Sequence, residues 1–158
     1  MELRNIIAAR LRLLHKCSCR WDFDAVPPPD YIGAYGELVA ASYLRAHGLK
    51  VLRRNWRWGD SGELDLVCRD GDVLVAVEVK STSSDRAGAP MRMVNADKRR
   101  LLRHGLRNWL YLLEPPLPES RFDVVEVYLR PHAVPEVVWH KKAFTFTEGA
   151  THVQAERC

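Results

Sequence analysis

Hydrophobic residues recur with two different periods along this chain, and the switches between them mark its elements. From Asp30 or Tyr31 to about His47 the spacing is helical. Tyr35, Leu38, Val39 and Ser42 form one stripe, and Glu37, Ala40, Ala41 and Leu44 another. Gly48 suits the left-handed residue that closes such a helix. Strand-like stretches follow at 49–58, 63–69 and 73–80. The turn Asp70-Gly71-Asp72 separates the last two, so the three predict an antiparallel meander. After a polar loop over 81–90, helical spacing returns from about Asn95 to Leu113 and stops at Glu114-Pro115-Pro116. Phe122 to Leu129 alternates again, and Glu136 to His140 suits an edge strand. The order helix, three strands, helix, strand predicts an α/β domain with helices covering a sheet.

The segments outside this core differ in character. Residues 1–29 read as a basic helical extension, with Arg4, Arg10, Arg12, Lys16 and Arg20, ending in the linker Pro27-Pro28-Pro29. Residues 30–130 form the expected domain, and 131–158 an edge strand with a loose polar tail. A chain of 158 residues with 47% hydrophobic content can bury one real core. No apolar run reaches membrane-spanning length, and the N-terminus lacks the pattern of a secretory signal. The cysteines are Cys17, Cys19, Cys68 and Cys158, without a second pair at zinc-site spacing. A cytoplasmic protein without membrane partners is the expectation.

Charge changes the picture more than composition does. Net charge is +4, and the excess is concentrated. Between Asp85 and Arg107 lie Arg86, Arg92, Lys98, Arg99, Arg100, Arg103 and Arg107 against two acidic residues. Such a run commonly marks a solvated helix face. Here it directly follows the charge-bearing strands, so Arg86, Lys98, Arg99 and Arg103 are candidate phosphate contacts. Lys98 falls in register with Val94, Leu101, Leu102, Gly105, Leu106 and Trp109, so it is expected to point inward.

Candidate chemistry lies inside the apolar strands. Alternation puts Glu63 and Asp65 on one face and Glu78 and Lys80 on one face of the next strand, with Leu64, Leu66, Val77 and Val79 facing a core. Asp65 and Glu78 can supply the carboxylates of a Mg²⁺ or Mn²⁺ site, with the Val79 carbonyl as a further ligand. Lys80 can orient an attacking water or offset charge on phosphorus. Two carboxylates about 4 Å apart repel by about 4 kcal/mol at an effective dielectric near 20, so Glu37, Asp65 and Glu78 converging would call for a cation or a proton. The alternatives are a structural ion-pair network for Glu78 and Lys80, and a dipole-favoured first-turn position for Glu37. The six histidines form no ligand-like pair, no Gly-rich phosphate loop is complete, and no Gly-x-Ser-x-Gly occurs. Trp56 and Trp58 alternate with Arg57 and suit either strand packing or base stacking.

The ordered set of motifs resembles the YraN-like family of endonuclease-like proteins. It comprises Gly36-Glu37 with Ala40-Ala41 and Leu44, then Gly48, Arg54-Asn55-Trp56-Arg57, Gly62-Glu63-Leu64-Asp65-Leu66-Val67, Val77-Glu78-Val79-Lys80, Gly88-x-Pro90 and Lys98. That family is similar to archaeal Holliday-junction resolvases, within the restriction-endonuclease-like PD-(D/E)XK superfamily. The resemblance implies a mixed β-sheet flanked by helices. It also implies a metal-dependent endonuclease acting on DNA, branched or junction DNA included, with a homodimer suited to paired cuts. Asp65, Glu78 and Lys80 fall on the catalytic positions, Glu37 on a metal-holding helical Glu, Glu63 on a supporting position and Lys98 on a phosphate contact. Thr82, preceded by Ser81, stands where the family commonly has Arg, so that phosphate contact is lost or moved, with Arg86 the candidate. The alternative is a non-catalytic nucleic-acid-binding or docking subunit that keeps the fold.

Overall fold

In the computed structural model, residues 29–57, 59, 62–83, 94–130 and 133–146 are described. Helix α1 spans Pro29–Ala46, β1 Lys50–Arg57, β2 Glu63–Asp70, β3 Val73–Thr82, α2 Ala96–Leu110, β4 Ser120–Tyr128 and β5 Glu136–Phe144. The basic N-terminal segment, Trp58, Arg86, Gly88-x-Pro90, Cys17, Cys19, Cys158 and the tail after residue 146 lie outside the described residues.

Local chemistry accounts for the helix ends. Pro29 opens α1 because a first-turn residue needs no N–H partner. Gly48, at φ 92°, closes it, and Leu49 N–H donates back to the Leu44 carbonyl. Asn95 caps α2 by accepting from Lys98 N–H at 2.9 Å. The second helix ends at Leu110 rather than Leu113, and Tyr111 to Leu113 turn ahead of Pro115-Pro116. Proline disfavours helical backbone in the residue before it.

The five strands form one sheet in the order β1-β2-β3-β4-β5. The first three are the expected antiparallel meander, and Asp70 pairs with Val73 across the tight turn that Gly71 permits at φ 59°. β4 runs parallel to β3, which the α2 crossover makes possible, and β5 returns antiparallel. Among the described residues, two helices covering a five-stranded mixed sheet are consistent with a restriction-endonuclease-like fold.

Each sheet face has its own core. On one, Tyr35, Val39, Ala40 and Leu44 of α1 pack on Leu66, Val75, Val77, Val125 and Val127. On the other, Leu102 and Leu106 of α2 join Leu74, Ala76, Phe122, Val124 and Phe144. The central strands are buried on both sides, which is why they read as nearly continuous apolar runs. One expectation is corrected. Leu64 does not share a core with Leu66, Val77 and Val79; it packs in the α2 cluster, while those three belong to the α1 side. Regular alternation therefore breaks across Asp65.

Close approach of α1 to β3 depends on Gly36, whose missing side chain leaves room for Ser81. Gly36→Ala would overlap the Ser81 side chain and is expected to destabilise the fold by about 1–3 kcal/mol in urea denaturation. Adding Ser81→Gly should recover most of that loss. At Gly33, where an added Cβ meets nothing within 4 Å, alanine should be neutral or stabilising. Equal effects at the two glycines would contradict this packing.

Candidate active site where two strands part

The pairing of β2 with β3 runs from Asp70↔Val73 to Leu66↔Val77. At the next step the Val79 N–H donates to Asp65 Oδ2 at 2.7 Å, a side chain taking the place of a neighbouring backbone carbonyl. This contact fixes Asp65. In a strand, a residue's C=O points to the same side as its N–H, so the Val79 carbonyl is directed to the same opening.

Glu78 stands on the α2 face of the sheet and is 3% exposed. Its neighbour two residues on, Lys80, brings Nζ to 2.7 Å from Oε1. Lys98, placed inward from the first turn of α2 as expected, brings Nζ to 3.1 Å from Oε2 as an ion pair. From the opposite face α1 contributes Glu37. Burial raises its pKa, opposed by a hydrogen bond from Asn55 and the charge of Arg54, while Glu63 and Glu78 raise it further. Glu37 Oε2 is buried without a hydrogen-bond partner among the described residues.

Asp65 feels this arrangement most. Its pKa is pushed up to about 7, by burial first and then by the charge of Glu78, with Glu37 adding to it. The Val79 N–H and the Lys98 ammonium pull the other way. Glu37, Asp65 and Glu78 are therefore within electrostatic reach of one another.

The donor set suits a hard divalent cation: carboxylate oxygens, a backbone carbonyl and one buried oxygen of Glu37 with nothing to accept. Among the described residues, no three acidic, histidine or cysteine groups are gathered into a metal-holding cluster. Two ammoniums, of Lys80 and Lys98, balance the charge of Glu78.

The remaining sequence candidates are placed as follows. Glu63 pairs with exposed Arg57 at 2.5 Å, at the rim. Arg99 and Arg103 are engaged with the end of β5 rather than directed at the carboxylates. Arg99 donates to the Val94 carbonyl at 2.7 Å, Arg103 to the Thr145 carbonyl at 2.9 Å, and both guanidiniums lie 5.7 Å from the Phe144 ring centre. Trp56 is in the core, edge-on to Trp109 at 5.3 Å, which favours strand packing over base stacking. Thr82 pairs in register with Tyr128.

Two groups on β4 were missed. Glu126 is 7% exposed and lies beside Lys80 in the parallel register. Tyr128 Oη donates to it at 2.8 Å and His140 Nε2 lies 3.6 Å away. The signal was the same as for Glu78, a carboxylate inside an apolar strand, but the parallel pairing that brings it beside Lys80 is not local. Asp123, fully buried, accepts from Arg121, from Trp139 Nε1 at 3.0 Å and from Lys142 N–H at 2.9 Å. That set of partners satisfies it structurally.

Residues 36–127, more than half of the chain, match Uncharacterised protein family UPF0102. The chain belongs to this family. It is the YraN-like group. A UPF0102 protein of Beutenbergia cavernae is 51% identical over 98 residues, covering 62% of this chain and 82% of that protein. One of Streptomyces coelicolor is 42% identical over 107 residues, 67% and 82% of the two chains. One of Geotalea uraniireducens is 38% identical over 116 residues, 72% and 88%. The matched segment of the UPF0102 chain contains Glu37, Asp65, Glu78, Lys80, Lys98 and Glu126. Among the described residues, no helix is long and apolar enough to cross a membrane.

The raised Asp65 pKa has a consequence for stability. The folded state holds a proton more tightly than the unfolded state, whose Asp titrates near 3.8. The unfolded state therefore binds fewer protons between about pH 4 and 7, and stability falls as pH rises through that window. In chelator at pH 8, Asp65→Asn is expected to be more stable than wild type by about 1–3 kcal/mol, a difference that fades toward pH 4. Urea denaturation at both pH values reads this. A wild type whose stability rises relative to the variant over this range would contradict it.

Proposed function

We propose that this UPF0102 protein is a Mg²⁺- or Mn²⁺-dependent endonuclease that hydrolyses phosphodiester bonds in DNA, branched or junction DNA included. The observation that carries this reading is a buried carboxylate, Glu78, with lysines on both oxygens, beside a second carboxylate whose proton affinity is raised. Phosphodiester hydrolysis requires an aligned water and neutralised charge on phosphate and leaving oxygen. Lysine and carboxylate on one strand face supply groups of both signs there.

Asp65, Glu78, Glu37 and the Val79 carbonyl would hold the cation. When bound, the ion supplies a more acidic water and positive charge against the phosphate oxygens. Asp65 is held in place by the Val79 N–H, so its free oxygen has a defined direction. Lys80, released from or shared with Glu78, orients the nucleophilic water. Lys98 meets phosphate charge from the first turn of α2. Paired cuts at a symmetric junction suit two copies of the chain.

A second reading has its own support. Glu78 is already neutralised by two lysines, and no metal-holding cluster of side chains is present among the described residues. A nucleic-acid-binding or docking subunit that does not cleave fits that state.

A cleavage panel separates the two. Purified protein with Mg²⁺ or Mn²⁺ should cut four-way junction, linear or single-stranded DNA, and chelator should stop it. Glu78→Ala and Lys80→Ala are each expected to reduce the rate by at least about 100-fold, the scale of losing a group that acts on the transition state, while circular dichroism shows the fold retained. Salt-sensitive binding with all three DNAs left intact would sink the nuclease reading in favour of the subunit.

A further inference from the structure

The basic run on α2 was the natural candidate for holding nucleic acid, yet its inward members are engaged: Lys98 with Glu78, Arg99 and Arg103 with backbone carbonyls. Arginines without such partners lie elsewhere. β1 is an edge strand of the sheet, and its residues Lys50, Arg53, Arg54 and Arg57 are all exposed. Its pairing with β2 shifts register between Val51 and Arg53, and Asn55 takes φ 49°. Such an irregularity bends a strand and re-aims its side chains. Here it lets five successive residues line one open cavity of about 400 Å³, formed by Arg45, Val51, Leu52, Arg53, Arg54 and Asn55.

Arg45, Arg53 and Arg54 make no hydrogen bond or ion pair among the described residues. Three guanidiniums lining one cavity repel one another, and a bound anion relieves that repulsion. Guanidinium matches phosphate oxygens with two parallel N–H donors, so phosphate is the favoured anion. The cavity also adjoins the carboxylates. Asn55 lines it and hydrogen-bonds Glu37, and Arg54 acts on Glu37 electrostatically.

We propose that the Arg45, Arg53 and Arg54 cavity on the β1 edge binds backbone phosphate of a nucleic acid and leads the strand to Glu37 and the parted strands. This rests on the nucleic-acid reading above but not on catalysis. The edge position leaves room for a long polyanion to continue past the cavity, which a small free anion would not need.

Binding of fluorescent four-way junction DNA is measured in chelator, in a Lys80→Ala background, across a salt series. Arg45→Ala/Arg53→Ala/Arg54→Ala should weaken binding about tenfold or more and lower the slope of log affinity against log salt by about two, as expected for lost phosphate contacts. Arg100→Ala/Arg107→Ala, which removes exposed arginines from α2, should change both far less. Replacing the three cavity arginines with lysine should keep most of the salt slope. Wild-type affinity and slope in the triple alanine variant, or a larger loss in the α2 variant, would overturn the proposal. So would displacement of the DNA by millimolar inorganic phosphate at constant ionic strength, which would identify a small-anion site. Because no cleavage is read, loss of the nuclease reading leaves this result interpretable.

Discussion

A carboxylate buried to 3% exposure in the middle of a sheet sets the terms for this molecule. An isolated charge there would be strongly disfavoured, so Glu78 needs positive charge within contact distance. Lys80 provides it from the same strand because side chains two apart share a face. Lys98 provides it from a helix, which requires α2 to start at that point over the sheet. The Asn95 cap and the packing of Gly105 against Leu64 help define where that first turn lies. Asp65 is buried beside Glu78 and Glu37, so desolvation first and the neighbouring negative charge second raise its proton affinity, against the pull of the Val79 N–H and Lys98.

The same opening has consequences for the backbone. Once β2 stops supplying carbonyls to β3, Val79 N–H takes Asp65 instead, and alternation along β2 breaks at that residue. α1 closes the opposite face at short range through Gly36 over Ser81, which places Glu37 one residue further on. Ser81, the residue after Lys80, thus packs over Gly36.

Positive charge is distributed by engagement as much as by position. Arg99 and Arg103 looked available in a one-dimensional charge count, but both lie against Phe144 and donate to carbonyls. The β1 arginines, separated in sequence from Arg45, come together only because α1 ends beside the strand that follows it. A bulge then brings neighbours that would otherwise point to opposite faces into one cavity.

Much of this was legible without coordinates. Helix and strand periods, the Asp70-Gly71-Asp72 turn, the Gly48 stop and the inward face of Lys98 are local properties, set within a few residues by sterics and side-chain direction. Charges inside apolar strands marked Asp65, Glu78 and Lys80, and a helical stripe added Glu37; the structure brings the three carboxylates within electrostatic reach and sets Lys80 against Glu78. What sequence alone could not decide depends on pairing between distant segments. The parallel register that sets Glu126 beside Lys80, the break that sends Leu64 to the α2 core, the repacking of Arg99 and Arg103 onto β5, and the arginine cavity all belong to that class. The physical reason is that burial and neighbouring charge, which determine whether an ionisable group is structural or reactive, are properties of the assembled fold and not of the residue.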